Sequence, residues 1–173
     1  MRSIFLSAGH SEADPGAVAN GRREADIAVE FRNLVAFYLQ RAGVPHELDG
    51  SGTRNLPLAQ AAKLARKHAV AVEFHCNAAA NTAAGGAECL SGPKDARLAG
   101  QISAAIAGAL GIRDRGAKPE NAGQHHRLAF VQAGGIIVEL FFITNRADLS
   151  QYDARKWLAA RAVADVLTRA AAA

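Results

Sequence analysis

Four residues of this chain, His10, Glu24, His75 and Glu139, have types that could do chemistry together if the fold brings them to one place. Two imidazoles and one carboxylate are the nitrogen and oxygen donors of a catalytic zinc site. One further carboxylate then remains to move protons. Each residue also has a plainer explanation when taken singly. His10 beside Gly9 suits a turn, Glu24 opens a helical pattern where the helix dipole favours an acid, and a histidine ending an apolar run often serves packing alone. Glu139 sits inside Ile136-Ile137-Val138-Glu139-Leu140. A charge there costs on the order of several kcal/mol unless it is used or paired, and a buried arginine would satisfy it as well.

The elements that must carry these residues are legible from the pattern. Ile4 to Ala8 and Val70 to His75 are compact apolar runs of strand length, and Val44 to Leu48, Ala87 to Ser91 and Ile136 to Leu140 resemble them. Leu128 to Val131 also reads as a short strand. Helical spacing of three and four runs from Glu24 to the closing Gly43, over Leu56 to His68, from Pro93 to Gly111 and over Leu149 to Ala170. Ser11 to Arg23 and Ile112 to Gln124 are rich in turn residues and read as loops. Strands alternating with helices predict an α/β fold: a mainly parallel, twisted sheet flanked by helices on both faces, in a single domain over residues 1–173. Such sheets bind ligands outside the carboxyl ends of their strands. His10 and His75 fall there, Glu139 lies in the last apolar strand, and Glu24 joins them if the loop before it folds back over the edge.

Composition narrows the partners. The net charge of +4 favours an anionic polymer, and nucleic acid, a membrane surface and cell wall all qualify. No basic stripe with interleaved aromatics is present, so nucleic acid is not expected. No run approaches the roughly 20 apolar residues of a membrane span, so no membrane insertion is expected. The apolar run after Arg2 is too short for a signal peptide, and no export signal is expected. The two cysteines, Cys76 and Cys89, do not form a disulfide framework.

Six segments occur in an order that is specific as a set: Ser7-Ala8-Gly9-His10, Asp14-Pro15-Gly16, Glu24-Ala25-Asp26, Phe74-His75-Cys76-Asn77-Ala78, Arg113-Asp114-Arg115-Gly116-Ala117-Lys118 and Val138-Glu139-Leu140-Phe141-Phe142-Ile143-Thr144-Asn145. Together they resemble the zinc-dependent N-acetylmuramoyl-L-alanine amidases, among them catalytic domains of bacterial and phage cell-wall lysins. The resemblance implies one zinc per chain held by His10, Glu24 and His75, with Glu139 as the catalytic acid and base. It implies hydrolysis of the amide between N-acetylmuramic acid and L-alanine in peptidoglycan. Arg115, His126 and Asn77 are candidates for substrate contact, and Lys118 is a weaker one. The family's segment around the second histidine is closer to Ser-Ile-His-Ala-Asn, and here Glu73, Phe74 and Cys76 depart from it. Side chains alternate along a strand, so Glu73 should lie on the side of His75 and support it, while Cys76 should face away.

The expected setting is a monomeric endolysin without a separate wall-binding domain, held in the host cytoplasm until it reaches the wall. The alternatives are a zinc carboxypeptidase or other amidohydrolase, and a wall-binding module without catalysis.

Overall fold

A computed structural model describes residues 1–122 and 127–173. The chain opens with β1 (Ile4–Ala8), a small hairpin of β2 (Val18–Ala19) and β3 (Arg22–Arg23), helix α1 (Glu24–Arg41), β4 (His46–Leu48) and helix α2 (Leu58–Ala65). It continues through β5 (Val70–Asn77), β6 (Ala87–Ser91), α3 (Ala96–Leu110), β7 (Asp114–Pro119), the short α4 (Ala129–Gln132), β8 (Ile136–Phe142) and α5 (Arg146–Ala172). The main sheet has the order β4-β1-β5-β8-β6-β7. Its neighbours run parallel except β8 and β6, which pair antiparallel. This is the α/β architecture expected from the sequence.

Alternation along the strands decides what faces where. Ile4, Leu6 and Ala8 of β1, Val72, Phe74 and Cys76 of β5, and Ile136, Val138 and Leu140 of β8 join the core built with α1, α3 and α5. Phe31 of α1 meets Phe74 edge to face there, with ring centroids 5.1 Å apart. The opposite face is covered more thinly. Phe5, Ala71, Leu90 and Ile137 pack against Ala61, Ala62 and Ala65 of α2 and Phe130 and Val131 of α4. Each fully buried large apolar side chain contributes roughly 1.5–3 kcal/mol, so the first face carries most of the stability and the second leaves room for a cleft.

Three local expectations are corrected. Leu128 to Val131 is not a strand: Ala129–Gln132 form a single helical turn, because Phe130 and Val131 both reach the second core from one side of that turn. The segment Ile112 to Gln124 is not all loop, since it contains edge strand β7, which among the described residues pairs with β6 alone and has no buried position. Within Ser11 to Arg23 lies the β2–β3 hairpin. Helix α5 also starts earlier than its apolar spacing suggests, because the Asn145 side chain accepts from the backbone N–H groups of Ala147 and Asp148 and caps the helix. Among the described residues, no helix is long and apolar enough to cross a membrane.

Candidate functional site

Glycines make the space in which the site is built. Gly9 follows β1 and donates its backbone N–H to Phe74 O at 2.9 Å. A Cβ on Gly9 would lie 2.1 Å from Cε1 of His75, so the imidazole rests against bare backbone. Gly16 adopts φ +64°, and a Cβ there would come within 2.6 Å of Glu24 Oε2 and 2.7 Å of His10 Cδ2. His10 itself has φ 63°, a left-handed conformation uncommon for a residue with a side chain. Asn55 holds it there by donating its amide to the carbonyls of Ala8 and His10.

Glu24 is the first residue of α1, and its carboxylate is the point of convergence. Its Oε1 lies 3.0 Å from His10 Nε2 and 3.0 Å from His75 Nδ1, and accepts from Cys76 N at 3.1 Å. Its Oε2 accepts from Ala17 N at 2.9 Å. Each histidine turns its other nitrogen to a second carboxylate: His10 Nδ1 to Asp14 Oδ2 at 3.0 Å, and His75 Nε2 to Glu73 Oε1 at 3.0 Å. Ionised carboxylates only accept, so each ring N–H donates to them. Burial opposes charge on Glu24, but His10 and His75 outweigh it and hold the carboxyl well below the usual range. Burial likewise opposes a charged His75, and Glu24 and Glu73 overcome it and raise its pKa. The bond to Glu24 raises that of His10.

Glu139 enters from the neighbouring strand. Parallel pairing of β5 with β8 sets it opposite His75, and antiparallel pairing of β8 with β6 sets it opposite Glu88. Its Oε2 is closed off from solvent and has no hydrogen-bond partner among the described residues. Burial, reinforced by the nearby charges of Glu24 and Glu88 and offset in part by His75, pushes its pKa up to about 7. A carboxyl poised there can both take and return a proton near neutrality. His10, Glu24, Glu73, His75, Asn77, Glu88 and Glu139 all line one cleft of about 570 Å³, which Leu58, Leu128 and Phe130 also line.

The substrate candidates are placed less directly. Asn77 lines the cleft and donates to Glu88 Oε1 at 3.0 Å. Arg115 Nε and Lys118 Nζ each lie 2.5 Å from Glu88 Oε2, and the Arg115 guanidinium also stacks 5.0 Å from the Phe142 ring centroid. Their charged ends are therefore engaged by Glu88. His126 lies outside the described residues. Cys76 packs into the core on the other side of the sheet and burial pushes its thiol up, which suits a small apolar filler. Glu88, Asp14 and the acid Asp49 were not singled out from the sequence. Glu88 carried the same signal as Glu139, an acid within an apolar strand, whereas Asp14 and Asp49 lie in turn-rich segments where acids are ordinary.

His10, Glu24 and His75 offer ligand atoms that lie within 4.8 Å of one another. The donor set fits a cation. Two ring nitrogens meet at one carboxylate oxygen, and each ring keeps an N–H on its own carboxylate, the arrangement that orients histidines around a metal.

A family model described as N-acetylmuramoyl-L-alanine amidase matches residues 4–169. The chain belongs to this amidase family. It is thus a hydrolase, and peptidoglycan is the substrate class of its family. A solved structure from Neisseria meningitidis, described provisionally as an N-acetylmuramoyl-L-alanine amidase, is 48% identical, covers 98% of this chain and 95% of its own, and superposes with a TM-score of 0.90. The N-acetylmuramoyl-L-alanine amidase LytC of Bacillus subtilis is 29% identical over 156 residues, covering 86% of this chain and 31% of LytC. The amidase AmiC2 of Nostoc punctiforme, at 21% identity and a TM-score of 0.85 over 98% of this chain and 96% of its own, shares the fold.

Proposed function

We propose that His10, Glu24 and His75 hold one zinc ion and that the site cleaves the amide between the lactyl group of N-acetylmuramic acid and L-alanine in peptidoglycan. The observation that carries this reading is the convergence of His10 Nε2 and His75 Nδ1 on one Glu24 oxygen, with Glu139 beside His75 on the next strand. When bound, zinc would supply Lewis-acid polarisation of the scissile carbonyl and lower the pKa of water.

The chain's own groups do the rest. Glu139 takes the proton of the attacking water on its carboxylate and returns it to the departing L-alanine nitrogen. Its raised pKa matches both halves of that cycle. Glu73 and Asp14 hold the two imidazoles in register. Asn77 and Glu88 line the cleft together with Glu139, and Leu58, Leu128 and Phe130 add apolar surface to it.

We further propose that the protein acts as a monomer. We also propose wall lysis of the endolysin type; the net charge of +4 supports contact with an anionic wall. The deciding experiment is mass spectrometry of digested peptidoglycan together with zinc analysis of the protein. Release of intact stem peptides with a free L-alanine amine, by protein carrying one zinc, is the expected result. Loss of a terminal amino acid would assign a carboxypeptidase instead, and binding without any product would assign a wall-binding module.

A further inference from the structure

Behind His75 the hydrogen-bonded groups continue away from the cleft. Glu73 Oε1 faces His75 Nε2 at 3.0 Å, and Glu73 Oε2 lies 2.9 Å from the hydroxyl of Ser7. Ser7 is fully buried in the otherwise apolar β1 and lies 3.0 Å from Asp49 Oδ2. Asp49 in turn accepts from Arg32 Nη1 at 2.6 Å, and both side chains of that ion pair are 0% exposed. Arg32 is itself immobilised, donating also to the carbonyls of Arg54 and Gly52 and to Asn33 Oδ1.

We propose that Arg32, Asp49 and Ser7 are positioning residues, which act through Glu73 to fix the His75 imidazole with its Nε2–H on Glu73 and its Nδ1 toward Glu24 and His10. The inference rests on the ligand role proposed for His75. Three observations carry it. A serine, an acid and an arginine all occupy fully buried positions, where a polar group is costly unless it is held. The chain of contacts is continuous from Arg32 to His75. Asp49 Oδ2 also accepts from Ala8 N at 3.1 Å, two residues before His10, so one carboxylate supports both histidine-bearing segments.

The physical role of each member follows. An imidazole has two nitrogens, and the acceptor on one decides which remains available to a cation. Glu73 can serve as that acceptor only if its carboxylate does not rotate; the single Ser7 O–H donates to its second oxygen, while Asp49 takes its donors from Arg32 and Ala8 N. Arg32 offsets the repulsion between Asp49 and Glu73, two buried acids that share the Ser7 hydroxyl. Replacing Ser7 by alanine leaves the fold's packing nearly unchanged and frees Glu73 to turn away.

The test compares the parent with Ser7→Ala, Ser7→Thr and Glu73→Ala. Zinc ion is titrated against a competing chromogenic chelator, and the exchange of the His75 ring Nε2–H with water is followed by NMR in chelator-treated protein. Glu73→Ala should weaken zinc binding by ~10–100-fold, the range for groups behind a metal-binding histidine. Ser7→Ala should shift zinc binding the same way and speed Nε2–H exchange, with the circular dichroism spectrum unchanged and melting lowered, since the buried Glu73 and Asp49 lose the shared hydroxyl. Ser7→Thr, which keeps the hydroxyl, should restore both. Parental zinc affinity and parental exchange in Ser7→Ala would overturn the proposal. Should the parent take up no zinc, the functional reading falls, and the exchange rates still decide the positioning chain: slow in the parent and fast in Ser7→Ala upholds it, equal rates reject it.

Discussion

His75 and Glu139 are direct partners across two parallel strands, so the proposed metal ligand and the proposed proton carrier stand on one rung of the sheet. The two roles are nevertheless separable, because among the described residues Glu139 makes no hydrogen bond to His10, Glu24 or His75. Glu139→Ala should therefore keep one zinc per chain and lose turnover by about 10²–10⁴-fold, the usual contribution of a positioned acid or base. Metal analysis alongside a peptidoglycan-release assay checks this, and loss of zinc in the variant would reassign Glu139 to the metal.

Gly9→Ala should abolish zinc binding without replacing any proposed ligand. Its Cβ would sit 2.1 Å from the His75 ring, and the fixed point in that clash is backbone hydrogen-bonded to Phe74, so the ring must move. Zinc titration reads the loss directly. A Gly9→Ala protein with parental zinc affinity would mean that His75 can ligate from another position.

Glu139 gives a pH signature in chelator-treated protein. Its carboxyl titrates near 7 in the folded chain against an ordinary value of 4.5. A group raised on folding contributes stability that is complete below its unfolded value and is lost as pH rises through its folded value. Glu139→Gln, neutral at every pH, should thus gain stability over the parent by on the order of 3 kcal/mol at pH 8, with little gain at pH 4. Urea denaturation at the two pH values measures the difference, and an equal gain at both would exclude desolvation of Glu139 as its source.

The Arg32–Asp49 pair should dominate the stability of the site's foundation. Removing one partner strands a buried charge, at a cost of about 3–5 kcal/mol. Arg32→Ala and Asp49→Ala should each show a loss of this size by urea denaturation. A combined replacement of both by apolar residues should recover part of it, since no lone charge then remains.

How far the sequence reached can be judged residue by residue. β1 and α1 were legible because an apolar run and a three-four spacing are local signals, and they fall where expected. His10, Glu24, His75 and Glu139 were legible as a group because the strand-end rule and the family's motifs converge on them. Edge strand β7 was not, since a strand paired on one side and exposed on the other has no apolar pattern to show. α4 failed for the opposite reason, being four residues long and too short for its period to differ from a strand's. Arg32 was visible in principle: it lies on the stripe of Ala28, Phe31, Val35 and Leu39, where a charge requires a buried partner. Which partner it takes depends on a turn 17 residues away, and only the folded chain brings Asp49 there.

The place of β8 in the sheet has a consequence for synthesis. β5 and β6 follow each other in the chain, yet β8 lies between them, pairing with β5 on one edge and β6 on the other. A nascent chain that has emerged only through β7 therefore holds two unpaired inner strand edges and lacks Glu139. Long-range pairing of this kind closes late in folding. The last strand to arrive both seals the sheet and delivers the proposed proton carrier, so assembly of the proposed site is tied to completion of the sheet.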